Sequence, residues 1–370
     1  MPRNHDIESA AAPRYVAIAL VAVTALTIVS TMLLADLPES PNPLRPLAQP
    51  VAPCQPRVLP TLGGVGGNVI AASSTGIYTG IADDATGRSH PVIWRNGRVA
   101  RVDTGLDPAS PVAVNRQGVV VGTGFDRVDQ RPMGWWWSRG TTHPLAVPDD
   151  QVATPEAITD SGRVVGAVLV DDYSHAASWA TLAAQPQILP DLGGDSSSHA
   201  FAIAQDGTIG GVSLGSAGSP VLWDSRGRVQ SLGRLDGLDA GVHGFDTRSN
   251  PIGQSAVAQG GSRAIRWNAA GKPAQLGALV AGREASASDA VSDVVVGSAS
   301  APALSGGSRT QAVAWIDGKA QVLRPISTSS FRGVSGTANA AVVVAGEPRA
   351  VGYSSDRVGL RVPTEWRCAR

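Results

Sequence analysis

Lysine is almost missing from this 370-residue chain, which has only Lys272 and Lys319 beside 28 arginines. The 30 acidic residues balance the basic ones to a formal net charge of zero. No bulk field draws the protein to nucleic acid or to an anionic surface, so no nucleic-acid partner is expected. Cysteine is limited to Cys54 and Cys368, and aromatic side chains make up only 5% of the residues. Nine of those aromatics are tryptophan, so the positions of tryptophan are informative. Motifs that announce chemistry are scarce too. P-loop and HExxH patterns are absent, and the Gly/Ser-rich residues 210–218 read as strand and loop rather than as a nucleophile elbow. Glycine (43) and proline (26) are abundant without a collagen-like period, as many short strands joined by tight turns require. With 43% apolar residues, a chain of this length can hold two average domains or one large all-β domain.

Residues 15–35 form a run of 21 without a charge. As a helix the run would span roughly 31 Å, about the hydrocarbon thickness of a bilayer. A cleaved signal peptide is the competing reading. The apolar stretch is longer than such peptides use, and the best cleavage site, after Ala35, has bulky Leu33 where a small residue is wanted. A retained signal anchor is therefore expected; cleavage would make the protein secreted. Arg3 and Arg14 precede the run while Asp36 and Glu39 follow it, which puts the short tail 1–14 in the cytoplasm and the rest outside a bacterial cell membrane. Residues 36–56 carry seven prolines and read as a semi-extended extracytoplasmic linker, leaving 57–370 as the folded domain.

That domain is repetitive. Trp94, Trp136, Trp179, Trp223, Trp267, Trp315 and Trp366 recur at intervals of 42, 43, 44, 44, 48 and 51 residues. A parallel ladder runs through Gly80, Gly122, Gly166, Gly211, Gly253, Gly297 and Gly352. Residues 157–194 are the clearest copy. Within it Ala157-Ile158, a β-branched run at 164–168, residues 176–179 and residues 187–192 are separated by polar turns such as Asp160-Ser161-Gly162. Four antiparallel strands per 40–50 residues, seven times over, predict a seven-bladed β-propeller with four-stranded blades. The seventh copy ends one strand short at Trp366, and residues 57–64 (RVLPTLGG) resemble the fourth strand of the third copy, residues 187–194 (QILPDLGG). An N-terminal strand is thus expected to complete the last blade and close the ring. That pairing would bring Cys54 and Cys368 together as a disulfide in an oxidising compartment.

The phrases AITDSGRVVG (157–166), HAASW (175–179) and LPDLGG (189–194) resemble the HAF repeat of bacterial extracellular proteins, and the resemblance covers about residues 58–366. Histidine before the tryptophan survives only at His90 and His175. The resemblance implies a secreted or surface-anchored propeller. It brings no shared reaction and no catalytic residues.

Candidate site residues lie mostly in loops. Asp83, Asp84, Asp126, Asp129, Asp171 and Asp172 fall between the glycine-ended strand and the tryptophan strand of the first three copies. Those loops share a face with the blade-to-blade connections. Clustered carboxylates are what a hard cation such as Ca2+ prefers, yet no contiguous calcium-loop pattern occurs, and no cofactor is expected. In Trp135-Trp136-Trp137 strand alternation sets Trp136 on one face and its neighbours on the other. Trp135 and Trp137 are then either packed against an adjacent blade or part of a patch that binds ligand. His90 and His175 are expected to bond backbone or pack on tryptophan, and His199 and His243 to lie near the central channel with no carboxylate or cysteine at ligand spacing. The expected function is a membrane-anchored extracytoplasmic binding or scaffold module for a protein, glycan or small ligand on the loop face. The alternative is a glycan hydrolase or lyase with its site at the channel.

Overall fold

The computed structural model describes residues 54–194, 197–303, 308–327, 335–356 and 358–368. The expected anchor at 15–35 and all but the end of the proline-rich linker lie outside these residues. Among the described residues no helix is long and apolar enough to cross a membrane.

Seven four-stranded antiparallel sheets make up the fold. Blade 1 runs from its inner strand Gly63–Ala72 through Tyr78–Asp84 and Ser89–Arg95 to the outer strand Arg98–Arg101. Blades 2 to 6 repeat that order over residues 109–144, 152–188, 197–231, 240–275 and 285–322. Blade 7 has Gly336–Val344, Glu347–Ser355 and Arg361–Cys368, and its fourth strand is Cys54–Val58 from the other end of the chain. This strand starts three residues inside the segment read as linker and accommodates Pro56 because it is an outer strand. The echo at 57–64 therefore straddles two blades: Val58 ends the last blade and Gly63 opens the first. In blade 3 the inner strand, Val152–Ile158, starts five residues before the expected Ala157.

The second strand of each blade lies between two neighbouring blades, and its middle residues are mostly apolar. Val164–Val168 is buried throughout. The recurring tryptophans join blade to blade. Trp94, Trp179, Trp223, Trp267, Trp315 and Trp366 each donate their indole N–H, at 2.6–2.7 Å, to the carbonyl of Pro60, Ala146, Pro190, Gly233, Gly277 and Arg324 respectively. Each acceptor follows the outer strand of the preceding blade, so one side chain both fills the inter-blade core and pins two sheets together.

The glycine ladder has an equally local cause. Every inner strand carries a β-bulge at the same place, opposite the glycine of the second strand. The bulge pushes an inner-strand carbonyl toward that glycine. A Cβ on Gly211 would lie 2.0 Å from the His199 oxygen, and one on Gly352 1.9 Å from the Thr337 oxygen. Only a residue without a side chain fits.

Because strands alternate in direction, the first-to-second and third-to-fourth turns share one face, called here the turn face. The second-to-third turns and the blade-to-blade connections share the other. On the turn face the inner turns are set by their first residue: Asn115 Oδ1 accepts from the N–H of Gln117 and Val119, and Asp246 Oδ1 from Arg248 and Asn250. Cys54 stands opposite Cys368 at the end of a third strand, and the two are disulfide-bonded. The chain thus enters the ring on the turn face.

Candidate functional site

The acidic residues singled out in the sequence lie at the second-to-third turns or at the strand ends beside them, and local structure uses most of them. Asp84 Oδ1 takes hydrogen bonds from the Thr86 hydroxyl and from the N–H of Thr86 and Arg88, and its other oxygen meets His90 Nε2 at 2.7 Å. The Thr86 hydroxyl, and then His90, hold its carboxyl well below the ordinary range. His90 therefore bonds a carboxylate rather than backbone or tryptophan. Asp83 accepts from Ser89. Asp126 caps the N–H of Val128 and Asp129, and Asp129 lies 4.0 Å from Arg131. Asp171 and Asp172, at φ 46° and 68°, are the two central residues of the hairpin between Val170 and Tyr173, a turn that favours Asp for its backbone. Arginines interleave the carboxylates, with Arg88 and Arg127 both reaching Asp107. Among the described residues no three His, Cys, Asp or Glu side chains come together as a metal would require.

The three tryptophans of blade 2 are distributed differently from the expected ladder. Trp137 pairs with Val120 as Trp179 pairs with Val164, so Trp137 and not Trp136 holds the repeat position. Trp135 is fully buried over Gly122 and packs with Ile77 and Ile93 of blade 1, which leaves it no surface for a ligand. Trp137 packs on the same cluster, half-buried. Trp136 faces blade 3 and stacks on His143 at 4.1 Å. Residues 211–215 do have the spacing Gly-x-Ser-x-Gly, but Ser213 is fully buried inside the strand Ile209–Leu214, which excludes a nucleophile elbow.

The bulges supply a belt around the channel that the sequence did not announce. One unpaired residue per inner strand, Ile70, Val112, Glu156, Phe201, His243, Ser288 and Asn339, is half-buried at the same level. Glu156 Oε1 lies 3.1 Å from His199 Nε2, so His199 does have a carboxylate beside it. The His199 ring stacks on Phe201, whose edge meets His243. Surrounding protein lowers the His243 pKa by desolvation. Asp289, one residue past the bulge of blade 6, accepts from the N–H of Ala290 and Ala341, and burial pushes its pKa up to about 6. Ile70, Val112, Glu156, Phe201 and His243 each lie ten residues before the ladder glycine of their blade, and counting back from that glycine would have found Glu156.

A second polar site lies on the turn face at the seam of blades 7 and 1. Glu365, buried in the third strand of blade 7, accepts from the Tyr78 hydroxyl at 2.8 Å, from Arg349 Nη1 at 3.1 Å and from Arg367 Nε at 2.6 Å. Arg57 approaches it to 3.9 Å. Burial alone would raise the Glu365 pKa, but the hydrogen bonds of Arg367 and Tyr78 and the charges of Arg349 and Arg367 outweigh it and hold the carboxyl low. Burial first, and then the Glu365 charge, drive Tyr78 upward, so it stays a neutral donor. These groups line a cavity of about 180 Å3.

No family model matches this chain, and no curated protein matches it in sequence. Solved structures do. The β-propeller domain of the Trilobed protease from Pyrococcus furiosus is similar with a TM-score of 0.52 at 9% identity, over 81% of this chain and 93% of that one. Acylaminoacyl peptidase is similar with a TM-score of 0.51 at 10% identity, over 82% of this chain. The match spans about half of that peptidase, 52% of its length. At such identities the likeness shows the fold alone. The chain is a seven-bladed β-propeller.

Proposed function

We propose that this chain is a membrane-tethered, extracytoplasmic binding propeller of the HAF-repeat kind, its ring closed by the N-terminal strand. The observation that carries this reading is the direction of Cys54–Val58. The chain reaches the ring on the turn face, so the face of the second-to-third turns and blade connections points away from the tether toward protein or glycan partners. The disulfide fits an oxidising compartment. The channel favours binding over hydrolysis or elimination. Glu156 and His199 pair with no arginine bonded to either among the described residues. Asp289 lies three blades on and spends both oxygens on backbone amides. Expressed in full in bacteria, the chain should sediment with membranes, and protease added to intact spheroplasts should cleave the propeller. A soluble or protected protein overturns the tether; turnover of envelope polysaccharide by the purified full chain overturns the binding reading.

A further inference from the structure

We infer that the seam cavity between blades 7 and 1 is a binding site for an oxyanion, the phosphate or carboxylate group of a ligand. Three guanidinium groups, of Arg57, Arg349 and Arg367, surround one carboxylate, Glu365. The exposed Glu347, 3.8 Å from Arg349, is the other acidic side chain paired with these arginines among the described residues. Positive charge remains in excess even when Glu347 is counted.

The donors are in excess as well. A guanidinium carries five N–H donors and a carboxylate about four lone-pair sites. Tyr78, Arg349 and Arg367 already occupy three of those sites. Arg349 Nε is buried with no hydrogen-bond partner among the described residues, an expensive omission for a charged group. Arg57 comes within ion-pair distance of Glu365 but not within hydrogen-bond distance. The side chains of Arg57 and Arg367 remain 48% and 41% exposed, so the mouth stays open to solvent.

The cavity they line, about 180 Å3, is far larger than the ~10–15 Å3 that one water needs. Thr75 and Asn96 add polar rim atoms, and Leu59 and Trp94 give an apolar floor. Glu365 orients the arginine heads while it leaves donors free, and forked donors of this kind match phosphate and carboxylate oxygens. The site stands on the fold alone and does not depend on the tether.

Titration calorimetry of the full chain, kept in mild detergent, with inorganic phosphate and with D-glucuronate tests this, D-glucose being the neutral control. At least one oxyanion should bind while glucose does not, and binding should weaken as sodium chloride is raised. Whichever of the two binds names the group. The half-exposed Arg57 can be changed to Gln without emptying the core, and Arg57→Gln should weaken binding by about 10-fold or more at an unchanged melting temperature. Silence from both oxyanions with the wild-type chain overturns the inference, as does equal binding of glucose or wild-type affinity in Arg57→Gln.

Discussion

Gly211 has no room for a methyl group. Its neighbour is the backbone oxygen of His199, held in place by a β-bulge that cannot relax without moving the channel wall. Gly211→Ala should therefore destabilise the protein by about 2–3 kcal/mol, an overpacking cost at the upper end of the usual range. Denaturant unfolding of the full chain would measure it as a lower midpoint at unchanged slope. The ladder of glycines is plain in the sequence, but its cause is not. A conserved spacing shows that something recurs; the carbonyl 2.0 Å from an imaginary Cβ shows why. The matching bulges of blades 3 and 5 put Glu156 and His243 on the channel at one level, each ten residues before the glycine of its own blade.

At the scale of the element, the indole-to-carbonyl bond is what each blade gives its predecessor. Blade 2 departs from the pattern. Trp137 occupies the repeat position, yet its indole N–H is buried without an acceptor among the described residues. The corresponding carbonyl, that of Asp103, receives the Thr142 hydroxyl instead. Trp223→Phe should then cost about 1 kcal/mol more than Trp137→Phe, the net worth of one hydrogen bond. Thermal unfolding of the two variants side by side checks the difference, and equal losses would mean that the bond carries no weight. The sequence could not place this repeat tryptophan. With three indoles in a row, an interval of 42 or 43 residues fits either Trp136 or Trp137, and only strand register separates them.

For the whole molecule, the disulfide fastens the outer strand of blade 7 across a sequence separation of 314 residues. In the chain-entropy model such a link contributes up to about 5 kcal/mol. Reduction should lower the melting temperature and also weaken oxyanion binding, because Arg57 and Arg367 sit on the two strands it joins. Calorimetry with and without reductant reads both effects. The seven blades were legible because each is written separately along the chain. The seam site was not, because Arg57, Tyr78, Arg349 and Glu365 come from opposite ends of it. Its trace in the sequence is a carboxylate at a position where the other six blades have none. Where blades 1 to 6 have Ile93, Trp136, Ser178, Leu222, Arg266 and Ala314 before the tryptophan position, blade 7 has Glu365.

The cross-link also decides how the molecule answers mechanical load. Tension along the residues before Cys54 arrives first at a covalent bond and passes through it into the strand that ends at Cys368. The five register pairs from Cys54 to Val58 stay slack behind it. Without the bond the same pull would unzip them one at a time from the free end. With it the ring can be dragged, twisted or held under flow by its leading segment, and no strand is offered an end from which to peel.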